Sequence, residues 1–399
     1  MRIDNKKIVP IVFATNNNFA PYTGVAIQSI IEHSCEKNNY HIYILYNELC
    51  SEYINVFEKM KTDNFLVQCI NVNSYISGMS DFQSLHLTQE AVYRLIIPDI
   101  FEQYDKIIYL DGDIIVKYDI SDFYNNDIDS YVIGAIREVP CNAMEKYYLT
   151  HHSEVLIESA FNTGVLLINI NEFIKQKIKE KCLKLLEDDF SRTTPLFNYL
   201  DQDVLNITCK DKVKFLDPLW NIQIKFMFAG EYNTVKYDFR ETLINLSKKA
   251  KILHFAGSNK PWNLDCLTGA DEFWKIAVKT NFYNEIKKRF ICFKEKMLNS
   301  KPLKNIKKDS NIILYGAGGK GRELREIIVY EKHCNIILWV DKNAKEKFPD
   351  YDIHLPSEIN NYNYNEIIIA IESESVANSI REELISIGIN KKDIVWIYQ

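Results

Sequence analysis

Three short apolar runs fall within the first seventy residues: IVPIVFAT (8–15), HIYILY (41–46) and NFLVQCI (64–70). Each is strand length and rich in β-branched and aromatic residues, so each reads as a buried strand. Between the first two, Val25, Ile27, Ile30 and Ile31 recur at roughly helical spacing over 21–33. INVFEKM (54–60) lies in a second helix before the third run. Strand, helix, strand in this order requires an α/β sheet with parallel neighbours. Loops that carry function then collect at the carboxyl ends of the strands. Asn16 follows the first strand and Asp111 follows the later strand KIIYL, which puts both on one edge of the sheet.

Further along, the pattern predicts a helix around 89–97 ending at Pro98, and a loop plus helix over 136–155. It predicts a strand over 161–170, a helix from about 171 to 188, and a short helix over 201–209 with Asp201 as its N-cap. KILHF (251–255) is another strand, closed by the loop GSNKPW. At 399 residues the chain has room for two or three domains. The first is expected over 1–270, a basic amphipathic helical connector over 271–309, and a second α/β domain over 310–399.

Net charge is −6, which excludes the overall basicity of a nucleic-acid binder. Lys275–Asp309 nevertheless holds eleven Lys/Arg against three acids, and its aromatics alternate with lysines. Such a segment either packs as a solvated helix or makes a peripheral contact with an anionic membrane surface. No run approaches 18 apolar residues, so no membrane-spanning helix is expected, and MRIDNKKIVPIVFAT reads as a first strand rather than a signal peptide. Nine scattered cysteines with no CxxC fit reduced thiols, hence a cytoplasmic protein, with the inner face of the membrane left open.

The stretch YLDGDIIV (109–116) interrupts an apolar run with two carboxylates, which are costly to bury unless something positive meets them. In an extended segment i and i+2 share a side, so Asp111 and Asp113 can converge on Mg²⁺ or Mn²⁺, or on an Arg or Lys. Acid-x-acid spacing is weak alone, since about seven such triplets arise by chance in a chain of this composition. HFAGSNKPW adds His254 as a third candidate ligand and Lys260 as a phosphate-neutralising charge. Arg94, on an apolar helix, is either a partner for a buried acid or a phosphate clamp.

VFATNNN, EAVYRL, YLDGDIIV, FNTGVLLIN, LDQDVLN and HFAGSNKPW occur in this order over residues 12–262. Together they resemble glycosyltransferase family 8. The resemblance implies a GT-A fold, a Rossmann-like mixed sheet flanked by helices, and retaining transfer of glucose or galactose from a UDP-sugar to a saccharide or glycoprotein acceptor. It implies Mn²⁺ (or Mg²⁺) on Asp111, Asp113 and His254, with Arg94, Lys260, Gly112 and Gly257 at the diphosphate. Ala14, Asn16, Asn18 and His86 match donor-site positions, Asn16 standing where relatives carry an acid. Asn162, Asp201 and Gln202 would face the donor sugar and the reacting carbon. Arg137 stands where relatives place an acid near the sugars, which either suits an anionic acceptor or marks a surface arginine.

The last segment opens with ILYGAGGKGRELREII, where Gly316, Gly318 and Gly321 lie between a strand and a helix, and NIILWVD brings Asp341 twenty residues later. That is the context of a dinucleotide fingerprint. The segment resembles the small Rossmann-like modules found with surface-glycan enzymes. Too few residues follow for hydride chemistry to be expected. The expectation is a glycosyltransferase, with an NAD-dependent oxidoreductase and a non-catalytic nucleotide-sugar scaffold as alternatives. Self-association is left open.

Overall fold

The computed structural model describes residues 6–76, 90, 92–152, 155–192, 197, 199–227, 242–243, 245–257, 259–265, 267–298, 304, 306–343 and 353–397. The three apolar runs form β1 (Lys7–Ala14), β2 (Asn38–Tyr46) and β3 (Phe65–Asn71), joined by the helices Ala20–His33 and Ser51–Glu58. β4 (Lys106–Leu110) lies parallel on the other side of β1, and β5 (Ile114–Val116) leaves the sheet just beyond it. β6 (Ile133–Arg137), β7 (Phe161–Asn169) and β8 (Val213–Phe215) complete a seven-stranded sheet in the order β3-β2-β1-β4-β7-β6-β8. β7 runs antiparallel to both β4 and β6, so the sheet is mixed. β7 is buried along its whole length, which is why FNTGVLLIN reads as a continuous rather than an alternating run.

Pro10 in a central strand would ordinarily remove a ladder bond. Here β1 pairs with β4 only over Ile11–Phe13, so at Pro10 the strand has a neighbour on one side alone. β5 forms a second, three-stranded sheet with β10 (Ile252–His254) and β9 (Ile222–Gln223). The segment Asp111–Asp113 therefore bridges two sheets. The Asp111 N–H donates to the Gly164 carbonyl of β7, and the Asp113 carbonyl accepts from the N–H of Phe255, just past β10.

Several boundaries differ from the sequence expectation. The helix expected to end at Pro98 spans Tyr93–Ile100: proline forfeits only the bond to the Arg94 carbonyl, and Phe101 N–H closes the last turn on Ile97. The helix expected over 171–188 is two, Ile170–Lys175 and Ile178–Phe190, parted where Lys177 takes φ 53°. The amphipathic stretch over 271–297 is also two helices, Ala270–Ala277 and Tyr283–Leu298.

The chain clusters into two compact units, and the larger continues to Lys287, past the boundary expected at 270. The reason is apolar burial. Phe273, Ile276, Phe282 and Ile286 are all buried, and Phe282 packs on Phe57 and Tyr53 where Gly24 leaves room for its ring. These side chains are part of the larger unit's core, which removes them from a membrane-facing surface. No helix among the described residues is long and apolar enough to cross a membrane.

The smaller unit carries β11 (Asn311–Tyr315), β12 (Asn335–Val340), β13 (Glu366–Ile369) and β14 (Ile394–Trp396), all parallel, in the order β12-β11-β13-β14. The helices Gly319–Glu331 and Glu374–Ser386 flank it, so this unit has its own small α/β core.

Candidate active site at the end of β4

β4 delivers Asp111 and Asp113 to the carboxyl edge of the sheet, and β10 delivers His254 opposite Ile114. His254 Nε2 lies 3.4 Å from Asp113 Oδ1 and 3.8 Å from Asp111 Oδ2. One donor atom from each of the three falls within 4.8 Å of the others. Gly164 makes this convergence possible, because a Cβ there would collide with His254 Cε1 and Asp111 Oδ2. Two carboxylate oxygens and an imidazole nitrogen form a set suited to Mg²⁺ or Mn²⁺ rather than to a thiolate-seeking ion.

Cationic side chains surround this cluster. Lys260 Nζ donates to Asp113 Oδ2 at 2.5 Å and to the Phe255 carbonyl at 2.8 Å. Gly257, at φ +84°, supplies the left-handed turn in the loop leading to Lys260. Burial alone would raise the Asp113 pKa, but Lys260 and His254 outweigh it and hold the carboxyl well below its usual range. Arg94, from the helix Tyr93–Ile100, is buried and reaches Asp201 Oδ2 at 2.8 Å, Asp111 Oδ1 at 3.3 Å and the Thr163 carbonyl at 2.7 Å. Its guanidinium lies over the Tyr109 ring, and the Tyr109 hydroxyl donates to Asp111 Oδ1 at 2.8 Å. Arg94 is thus both a partner for buried acids and part of the cleft.

Asp201 does not cap its helix as expected. Leu200 occupies the cap with φ 43°, an uncommon backbone for a branched residue, and the turn sends Asp201 inward to Arg94 and Thr163. Burial pushes the Asp201 carboxyl up to about 6 despite Arg94, with the nearby Asp111 charge adding to the rise. Gln202 and Asn162 are also brought together, Asn162 Nδ2 donating to Gln202 Oε1 at 3.2 Å.

Arg137 lies outside this cluster. It is exposed, stacks over the Phe215 ring at 3.6 Å and donates to the Glu158 carbonyl. A bulge in the β6–β7 ladder between Ala135 and Ile136 shifts the register ahead of it. The next residue, Glu138, is the buried acid here, accepting from Gln202 Nε2 at 3.2 Å and Gln223 Nε2 at 2.7 Å. Sequence reading missed Glu138, Tyr109, Thr163, Asn221 and Gln223. For the last two a signal existed: in WNIQI the polar residues alternate with apolar ones in a buried segment, so both face one side.

A cavity of about 220 Å³ opens beside the cluster, lined by Ala14, Asn16, Glu90, Arg94, Asp111 and Asp113 among others. Asn16 Oδ1 does not face it freely. It accepts the backbone N–H groups of Asn18 and Phe19 at the start of the first helix, while Nδ2 donates to Glu90 Oε1 at 3.1 Å. Gly112 has a packing reason to be glycine, since a Cβ would strike the Thr23 hydroxyl. His86 lies outside the described residues.

In the smaller unit Gly316, at φ +110°, turns the chain after β11. A Cβ on Gly321 would collide with the Gly316 carbonyl, whereas Gly318 faces open space. Asp341 accepts from Ala317 N–H at 2.8 Å, which ties it to the glycine loop, and from Asn343 N–H at 2.8 Å, which closes the turn after β12.

A family model described as glycosyl transferase family 8 matches residues 10–266. The chain belongs to that family. A second model, described as C2185-like, N-terminal, matches residues 308–395. The family 8 chain is 26% identical to the lipopolysaccharide 1,3-galactosyltransferase of Salmonella typhimurium, over 63% of its own length and 72% of the relative's. It is 25% identical to the lipopolysaccharide 1,2-glucosyltransferase of Escherichia coli, over 66% and 76% respectively. The crystal structure of the galactosyltransferase LgtC in complex with donor and acceptor sugar analogues superposes with a TM-score of 0.54 at 22% identity, covering 68% of this chain and 96% of that one. That likeness establishes the GT-A fold of the larger unit. The protein is a glycosyltransferase.

Proposed function

We propose that this family 8 enzyme is a metal-dependent, retaining hexosyltransferase that moves glucose or galactose from a UDP-sugar to a bacterial surface glycan or glycoprotein. The observation that carries the reading is the meeting of Asp111, Asp113 and His254 at the mouth of the cavity that reaches Asn16 and Glu90. A divalent ion, Mn²⁺ or Mg²⁺, would be held by these three and would supply Lewis-acid stabilisation of the departing diphosphate. Arg94 and Lys260 place fixed positive charge on the same side. Asn16 Oδ1 is committed to the turn that leads into the first helix, so Glu90 would be the acceptor for a uracil imide N–H.

Asn162, Asp201 and Gln202 form the sugar end. The amide of Gln202 is a poor nucleophile, which favours attack by the acceptor hydroxyl from the face the diphosphate leaves. The bond from the anomeric carbon to the diphosphate oxygen breaks, a bond to the acceptor oxygen forms on the same face, and the departing phosphate oxygen takes the acceptor's proton. Asp201, ionised above about pH 6, supports the positive charge developing at carbon. The named relatives include one galactosyl- and one glucosyltransferase acting on lipopolysaccharide, which supports the sugar and acceptor classes.

The test is UDP release from a panel of UDP-sugars, with Mn²⁺ or EDTA, by wild type and Asp113→Ala. Release from one UDP-hexose, abolished by EDTA and by the substitution, is the expected result. No release from any donor under any condition would overturn the reading.

A further inference from the structure

Five buried polar side chains link the two ends of the cleft. Glu138 accepts from Gln202 Nε2, Gln202 Oε1 accepts from Asn162 Nδ2, and Asn162 Oδ1 accepts from Asn221 Nδ2 at 2.9 Å. Asn221 Oδ1 then faces His254 Nδ1 at 2.8 Å. All five are at most 8% exposed. Side-chain amides can be turned either way in principle, but this series is fixed at its middle and at one end by groups that have no choice. The backbone N–H of Gly164 is only a donor, and it points at Asn162 Oδ1 at 3.0 Å. An ionised Glu138 is only an acceptor.

From Gly164 outward the logic runs in two directions. Asn162 must present its oxygen to Gly164, and therefore also to Asn221. Asn221 must answer with its NH₂ and turn its oxygen to His254. The hydrogen on His254 is then on Nδ1, which leaves the Nε2 lone pair facing Asp111 and Asp113. In the other direction Asn162 offers its NH₂ to Gln202, whose amide must present oxygen to it and NH₂ to Glu138, as the carboxylate also demands.

We propose that Asn221 is a positioning residue with two outputs: it holds His254 in the Nδ1–H tautomer that presents Nε2 as a metal ligand, and it holds Asn162 in the orientation that fixes the Gln202 amide. The inference rests on the functional reading above for the meaning of those outputs. Partners behind a ligating histidine typically change metal affinity by about 10–100-fold.

The first test needs no variant. Nitrogen-15 NMR of the metal-free, histidine-labelled protein at mildly alkaline pH should show His254 with its hydrogen on Nδ1. Two substitutions then separate the outputs. Asn221→Leu removes both, and Mn²⁺ affinity, measured by electron paramagnetic resonance, should fall about 10–100-fold. Asn221→Asp still accepts from Nδ1–H but can no longer donate to Asn162. Mn²⁺ affinity should stay within about twofold of wild type while kcat falls by about tenfold or more. A merely structural role would not split the two readouts. Hydrogen on Nε2 in a protein that still releases UDP overturns this inference alone, as does unchanged Mn²⁺ affinity in Asn221→Leu. Hydrogen on Nδ1 with no Mn²⁺ binding by wild type overturns the functional reading and the ligand-presenting half of this inference with it.

Discussion

Two parallel strands in this molecule end on an aspartate, and the two aspartates have different fates. β4 runs KIIYL into Asp111, and β12 runs NIILWV into Asp341. Asp341 holds its own turn and the glycine loop after β11, where the Asn343 and Ala317 N–H groups occupy its two oxygens. Asp111 divides its oxygens between Tyr109 and Arg94 on one side and His254 on the other, and Asp113 does likewise between His254 and Lys260. An acid at a strand exit therefore says only that a polar group leaves the core there. Whether it caps a loop or builds a cation site depends on what the topology brings to it, and His254 arrives from well over a hundred residues away.

The contrast breaks most visibly at Asp113. Asp113→Ala should lower metal-dependent UDP release by at least about 10³-fold, because a lost ligand forfeits several kcal/mol of charge stabilisation and leaves Lys260 without its buried partner. Steady-state UDP release checks this. Activity within tenfold of wild type would mean that Asp113 serves only as a structural partner for Lys260, a holding role like that of Asp341 in the smaller unit.

Acid titration gives the next effect in size. Folded Asp201 takes its proton near pH 6 against 3.8 as the ordinary value, so the folded chain binds more protons than the unfolded chain between them. Stability should then fall as pH rises through this window, by about 3 kcal/mol at full displacement. Asp113 has the opposite sign: its depressed value contributes stability above about pH 4 that is lost as pH drops further. Denaturant titrations between pH 4 and 7 should show Asp201→Asn without the wild-type decline. Parallel curves for the two proteins would show that Arg94 keeps Asp201 ionised throughout.

Glycines sharpen the comparison. Gly164→Ala places a methyl 2.5 Å from Asp111 Oδ2 and against His254, so overpacking should cost about 1–3 kcal/mol and weaken Mn²⁺ binding by tenfold or more. Gly318→Ala meets nothing within 4 Å and should change stability by less than about 0.5 kcal/mol. Thermal melts and Mn²⁺ titration of both variants would check the pair.

How much of this was legible beforehand follows the same division. Apolar runs placed the strands, because parallel strands buried on both faces leave continuous signals. The carboxylates and His254 were legible as motifs. Of the two readings open for Arg137 the structure shows the surface arginine, and the buried acid beside it, Glu138, was missed because the bulge between Ala135 and Ile136 leaves no mark in residue type. Asp201 was taken for a cap because the turn at Leu200, which aims it inward, leaves no mark in residue type. That the larger compact unit runs on to Lys287 was not legible, because Phe273, Phe282 and Ile286 fit an amphipathic connector equally well until the partners of Phe282, Gly24 and Phe57, are known.

Asp341 offers the smallest and most discriminating change. In Asp341→Asn one oxygen remains for the buried Ala317 N–H, and the exposed Asn343 N–H turns to water, so the loss should be about 0.5–1.5 kcal/mol. That loss should appear only in unfolding of the smaller unit, followed by hydrogen exchange at Ala317 and its loop. UDP release should stay within about twofold, since none of the proposed transfer steps uses this carboxylate. Should release instead fall more than tenfold while the larger unit melts as in wild type, the glycine loop would take part in transfer. The two aspartates would then have related duties after all, and the contrast drawn from their hydrogen bonds would fail.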